Sequence, residues 1–212
     1  MHKVKLLKMN RKKGVIFLSL AIGMILFGLW FSTTNVYKFA KGYFAYDTQP
    51  ENSQVEEKTK STKKEIREDK ELYPIRPKIG EEIGELYIPK LKATLPIYHG
   101  TDEDELEKGV GHFAESVLPG EKDNSVLSGH RDTVFRKLGE VGEGDSLIVR
   151  TSAGEFKYKV NKVRIVDEDD RTVIVPRPRA TLTVSTCYPF EYIGSAPERY
   201  ILVAYLASKT LN

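Results

Sequence analysis

Hydrophobic and polar positions divide the chain into three textures. From Gly14 to Phe31, in GVIFLSLAIGMILFGLWF, no charge interrupts an apolar run. At about 1.5 Å per residue, such a helix is roughly 27 Å long, close to the hydrocarbon thickness of a bilayer. From Thr48 to Glu71 large apolar side chains almost vanish and both charge signs mix. Such a stretch buries too little to offset its ordering entropy and reads as a tether. From about Pro74 onward, short runs rich in Val, Ile, Leu, Tyr and Thr alternate with Gly, Pro and Asp. Roughly 135 residues remain there, enough for one domain with its own core.

Within this last part several runs repeat with a period of two, the mark of half-buried strands. IGELYIP, ATLPIYHG and NSVLSGHR come first. DSLIVRTSAGEFKYKVNKVRIV reads as a hairpin around Ser152-Ala153-Gly154, with Phe156, Tyr158 and Val160 on one face and Lys157 and Lys159 on the other. RATLTVSTC and ERYILVAYL close the series. Helical patterns are brief: DEDELEKGV and DTVFRKLGEV predict about two turns each. Seven or eight short strands with so little helix argue for a closed or nearly closed β-barrel. Propensity by itself does not separate this from a sandwich.

Charge changes the reading of the N-terminus. Lys3, Lys5, Lys8, Arg11, Lys12 and Lys13 precede the apolar run, and the first acidic residue is Asp47. This asymmetry predicts a cytoplasmic N-terminus and an exported remainder. A cleaved signal peptide has a shorter apolar core, about 7–15 residues, ending in a small-x-small site. Here the run ends in Leu29, Trp30 and Phe31, so an uncleaved anchor is expected, with Trp30, Tyr37 and Tyr43 as interfacial anchors. The six cations outweigh the formal net charge of +3 and leave everything after residue 13 net acidic. Nucleic-acid binding, which needs a basic patch on the folded part, is therefore not indicated. The expected layout is a cytoplasmic basic segment over 1–13 and a transmembrane anchor over 14–31. A juxtamembrane segment and charged linker over 32–76 leads to a folded domain over 77–208.

The chain has one cysteine, Cys187, in TLTVSTCYPF. With no partner it closes no intramolecular disulfide, and the domain must rely on its core. A lone thiol is most often a buried structural one. Position argues otherwise: Leu182 and Val184 share one face, Thr183 and Ser185 the other, and the strand must stop by Pro189, because proline donates nothing to a ladder. Cys187 therefore falls at a strand end, where a loop can leave the sulfur reachable.

A thiol with the ordinary pKa of about 8.5 needs a partner to act as a nucleophile. His2 lies before the anchor, and His99 ends a predicted strand. His112, in GVGHFAES, suits a packing residue before a turn. His130, in SVLSGHRDT, follows a strand and has Gly129 before it, so its imidazole is free to project. Spacing leaves both His112 and His130 in play. Arg199 opens the last predicted strand. If the connection YPFEYIGSAPE joins neighbouring antiparallel strands, Arg199 comes close to Cys187 at one rim. Arginine keeps its charge and offers a donor fork that can stabilise an oxyanion and orient a carbonyl.

The late Thr183-Val184-Ser185-Thr186-Cys187 segment, the SGHR histidine and the arginine of the final strand together resemble the sortases, membrane-anchored cysteine transpeptidases of Gram-positive surfaces. The family's TLxTC motif has Leu where Val184 stands here. The resemblance covers about residues 77 to 208, including GELYIPKL and GVGHFAESVLPGEKDNSVLSGHRDT. Pilin-polymerising members commonly carry an Asp-Pro-aromatic lid motif and a second membrane segment, neither of which is expected here. The compactness and the SGHRDTVFRKLGE segment look most like the class D sortases of spore-forming Gram-positive bacteria.

The resemblance implies an all-β fold, an eight-stranded sortase-type barrel with one or two short helices. It implies Cys187 as nucleophile, His130 as acid and base, and Arg199 as carbonyl stabiliser, with His112 non-catalytic and Thr186 shaping the substrate groove. The implied substrate is a surface protein with a C-terminal LPxT-x sorting signal, LPxTA-like in this class. The acceptor is an amine of a peptidoglycan stem peptide or its lipid-linked precursor. No cofactor is expected. No metal is expected either: the acidic TDEDELE segment suits a helix start as well as an ion. Two other enzyme classes lack their residues here: a thiol oxidoreductase needs CxxC, and an L,D-transpeptidase needs His-Gly beside its cysteine. The non-enzymatic alternative is an anchored extracellular β-barrel binding or sensor module with an inert, buried Cys187.

Overall fold

The computed structural model describes residues 11–47, 72–191, 194 and 196–212. The tether expected over 48–71 and most of the basic segment lie outside these residues.

The first element, α1, is a helix over Arg11–Asp47. Its Phe17–Thr34 stretch is long and apolar enough to cross a membrane. Apolar residues occupy every side of it, as in a membrane span rather than a surface helix. Where polar side chains do occur they turn back on the helix: Thr33 and Thr34 donate to the Leu29 and Trp30 carbonyls at 2.7 and 2.9 Å. The helix continues through Asp47, so it takes in the first part of the segment expected to be linker.

The remaining elements are β1 (Glu82–Ile88), β2 (Ala93–His99), α2 (Glu103–Leu106), β3 (Val110–His112), β4 (Asn124–Ser128), β5 (Ser146–Thr151), β6 (Gly154–Asp167), β7 (Thr181–Tyr188) and β8 (Glu198–Leu211). They close in the order β1-β2-β3-β4-β7-β8-β6-β5, and β5 returns to β1. Closure pairs the first strand of the order with the last, so neither is left as a free outer strand. Two of the pairings are parallel, β2 with β3 and β4 with β7. Alternation decides what fills the barrel. Leu86, Ile88, Leu95, Ile97, Val149, Phe156, Leu182, Val184 and Leu202 all point inward and are wholly buried. Each large apolar side chain removed from water contributes about 1.5–3 kcal/mol, and no disulfide is needed. Tyr158 is buried among them, and its phenolic oxygen accepts a hydrogen bond from the Gly120 N–H at 2.7 Å.

Four details differ from the sequence expectation. β3 has three residues, too few to show any alternation, and it supplies the eighth strand. β8 runs on to Leu211, because its outer half pairs with β6 as far as Gly154. α2 is a single turn. Residues 131–140 form turns ending in a 3-10 turn over Leu138–Glu140, with i+3 bonds such as Leu138 N–H to Phe135 O at 2.9 Å. Their helical spacing reflects the burial of Val134, Phe135, Leu138 and Val141 rather than a regular helix.

Residues 72–76, the end of the expected linker, pack on the barrel. Tyr73 is buried, and its hydroxyl donates to Pro119 O at 2.7 Å with Thr151 Oγ1 at 2.9 Å; burial pushes its pKa up to about 12. Arg76 forks onto Glu121 at 2.7 and 2.8 Å. This strap meets the barrel at the end where β4 begins, opposite the rim where β4 and β7 finish.

Candidate active site

β7 and β8 pair antiparallel with Cys187 directly opposite Arg199. Directly opposed residues on such a pair share a face, with Cβ atoms about 4.5–5.5 Å apart. Leu182 and Val184 on β7, and Tyr200, Leu202 and Ala204 on β8, fill the barrel. Cys187 and Arg199 therefore belong to the other, outward set. That outer face is apolar further along, where Ile201 and Val203 pack against Val173 from the β6–β7 connection. Cys187 is partly exposed, so the thiol is not sealed in the barrel wall.

β4 runs parallel to β7 with Ser128 beside Ser185, so both strands end at one rim. Beyond the ladder, Gly129 N–H donates to Ser185 O at 3.3 Å, and the Thr186 hydroxyl donates to Gly129 O at 2.7 Å. The residue before His130 is thus tied to the two residues before Cys187. Gly129 is required by close packing: a Cβ there would sit 2.7 Å from the Phe135 ring and 2.8 Å from Val134. Thr186, expected at the groove surface, is 3% exposed, and its hydroxyl is used entirely in that tie.

His130 lies at the surface, with Nε2 3.5 Å from Glu103 Oε1 at the start of α2. Glu103 is 70% exposed, so solvent screens the pair, which is worth about 0–1 kcal/mol when the imidazole is charged. The Arg199 fork is occupied locally. Nη1 donates to Ala196 O at 2.8 Å and Glu198 O at 3.0 Å, and Nη2 to Glu168 Oε2 at 3.1 Å. Among the described residues no hydrogen bond joins the Cys187 sulfur to His130.

His112 is separated from this rim and serves the wall. It is fully buried, with Nε2 3.0 Å from Val117 O and Nδ1 3.0 Å from Nδ1 of His99. Only a tautomer with the proton on Nε2 can donate to Val117 O while Nδ1 accepts from His99. A second proton on His112 would face the His99 donor, and burial holds its pKa down at about 4. Of the TDEDELE carboxylates, Glu105 is buried and accepts from the Asp102 N–H at 3.1 Å, and the exposed Glu103 lies 3.5 Å from His130 Nε2. Among the described residues, no group of three or more His, Cys, Asp and Glu side chains is arranged to hold a metal ion.

Sequence reasoning overlooked Glu103 as a neighbour of His130, and also Arg131. Arg131 was visible as the residue after His130 in SGHRD, but its reach to the far side of the site depends on the folded loops.

A partly exposed Cys187 lies opposite Arg199 on a closed barrel, and the residue before His130 is tied to the same strand end. The chain belongs to the sortase family: residues 86–207 match the Sortase domain. It is 49% identical over 142 residues to sortase D of Bacillus subtilis, covering 66% of this chain and 72% of that protein. Its fold superimposes on the catalytic domain of Bacillus anthracis sortase D with a TM-score of 0.57 at 44% identity, covering 65% of this chain and 95% of that one. A Clostridium perfringens sortase D5 transpeptidase gives 0.58 at 29% identity, over 63% of this chain and 83% of that one. The protein is therefore an enzyme of the cysteine transpeptidase type, and the sortase D proteins are among its relatives.

Proposed function

We propose that the protein cleaves an LPxT-x sorting signal, LPxTA-like, near the C-terminus of surface proteins and joins the new end to a peptidoglycan amine. The observation that carries this reading is the Cys187–Arg199 register, combined with the ties that bring the His130 segment to the same strand end.

Cys187 attacks the threonine carbonyl. His130 holds the proton given up by the thiol as the carbon–sulfur bond forms, and passes it to the departing amine as the peptide C–N bond breaks. His130 then takes a proton from the incoming amine as that nitrogen displaces sulfur from the thioester. Arg199 turns its fork from Glu168 and the loop carbonyls to the substrate oxygen as negative charge develops there. Resting separations between catalytic groups commonly close only once substrate is bound, so the absence of a thiol–imidazole bond is compatible with this sequence of events. Thr186 contributes by fixing the rim rather than by touching the peptide. No cofactor takes part.

The apolar helix within α1 anchors the chain, with residues 1–13 cytoplasmic and the barrel extracellular. Anchoring confines the enzyme to the surface where exported proteins and lipid-linked wall precursors arrive, and so raises their effective concentration. The alternative of an inert binding module requires a sealed thiol, whereas Cys187 is partly exposed.

The test uses the full chain in detergent micelles with LPxT-x peptides varied at the fifth position and small amines as acceptors. Mass spectrometry should find a thioester on Cys187, then the peptide–amine product, and neither with Cys187→Ala. A protein whose Cys187 reacts with alkylating agents but which cleaves no such peptide would overturn the substrate assignment.

A further inference from the structure

His130 and Cys187 are tied together on the side that precedes them, through Gly129, Ser185 and Thr186. The structure also ties them on the side that follows. Arg131, next after His130, donates from Nη1 to Pro189 O at 2.7 Å and from Nη2 to Gly194 O at 2.8 Å. Pro189 is two residues after Cys187. The chain from Gly129 to Arg131 and the chain from Ser185 to Pro189 are therefore joined at both ends, with imidazole and thiol in between. Charge-assisted bonds of this length are about twice as strong as neutral ones, and a guanidinium can hold two carbonyls at once.

We propose that Arg131 is a positioning residue for this reaction: it sets the separation of His130 from Cys187 by bonding the backbone beyond the cysteine. The inference rests on the acid–base role of His130 proposed above. Arg131 acts through His130 and touches no reacting atom. Loss of the tie frees the imidazole to drift toward Glu103, which already holds its Nε2 at 3.5 Å. A misplacement of about 1 Å in such a pair is worth roughly a hundredfold in rate.

The experiment compares wild type, Arg131→Ala, Arg131→Lys, His130→Ala and the Arg131→Ala/His130→Ala double variant as full chains in micelles. Two quantities are read: the pH dependence of Cys187 alkylation by iodoacetamide, which needs no peptide, and kcat and KM on the best LPxT-x peptide. Arg131→Ala should lower kcat about 10- to 100-fold with KM changed less than threefold. Its alkylation profile should move toward that of His130→Ala. Arg131→Lys, which keeps the charge and reaches one carbonyl, should fall between. In the His130→Ala background the Arg131→Ala change should alter alkylation by less than twofold, since its target is gone.

The inference is overturned if Arg131→Lys and Arg131→Ala both keep wild-type kcat and alkylation profile. It is equally overturned if Arg131→Ala costs as much with His130 absent as with it present. If wild type and His130→Ala share one alkylation profile, the acid–base role of His130 falls and this inference with it. Absent peptide cleavage alongside a His130-dependent profile would instead sink only the substrate assignment.

Discussion

Thr186→Val isolates the tie between the ends of β4 and β7. Valine nearly matches threonine in shape, so the core around position 186 stays filled while the hydroxyl is lost. That hydroxyl is buried and donates to Gly129 O at 2.7 Å. Gly129 is itself buried, so its carbonyl loses this donor without gaining water. Leaving such an acceptor unsatisfied costs about 1–3 kcal/mol. For a domain of this size about 1 kcal/mol moves Tm by roughly 3–4 °C, so the variant should melt roughly 3–12 °C lower, most plainly near 7 °C. The lone tryptophan, Trp30, lies in α1, so melting is followed by near-UV circular dichroism of the tyrosines in the barrel. Turnover below the transition should fall as well, because the freed carbonyl belongs to the residue before His130. Thr186→Ser keeps the bond and loses only a methyl group, and should stay within about 1.5 kcal/mol of wild type with turnover retained. A valine variant that melts with wild type and turns over peptide at the wild-type rate would refute the reasoning. The rim would then be held by the ladder alone.

Arg199→Lys retains charge and removes the fork; turnover should drop about 10²- to 10³-fold, while denaturant midpoints barely move, since its Glu168 partner is largely exposed. Gly129→Ala should destabilise by about 1–3 kcal/mol in urea titrations, as the added methyl meets the Phe135 ring, and turnover should fall with it. His112 gives a pH dependence whose sign follows from its lowered pKa of about 4. The unfolded chain takes up that proton near pH 6.5 and the folded chain does not, so stability is fully present above pH 6.5 and declines as pH falls toward 4. The full span is worth about 3 kcal/mol. Urea midpoints should therefore fall between pH 7 and 5, and His112→Gln should flatten that slope; an unchanged slope in the variant would remove His112 as its source.

Much of this molecule follows from short-range pattern. The apolar run that becomes the core of α1, the two-residue period of seven strands, and the hairpin at Ser152-Ala153-Gly154 are encoded within windows of a few residues. Backbone geometry translates such windows directly into a helix or a pleated face. The end of β7 at Tyr188 follows from Pro189 in the same way, and it already placed Cys187 at a rim. β3 escaped because three residues carry no period, and the 131–140 segment misled because buried apolar spacing can be met by successive turns as well as by a helix.

Contacts between distant parts of the chain belong to a different order. The parallel pairing of β4 with β7 joins Ser128 to Ser185 across the whole β5–β6 hairpin, and nothing in either strand names the other as its neighbour. That pairing is what separates His130 from His112: one follows the strand end that is tied to β7, while the other is enclosed against His99 and Val117. The same holds for Thr186, whose hydroxyl reads as a groove contact in isolation and proves to be a buried tie. Residue identity determined which groups could do the chemistry. Barrel closure decided which segments share a rim, because strand partners are chosen by the packing of one shared core rather than by local preference.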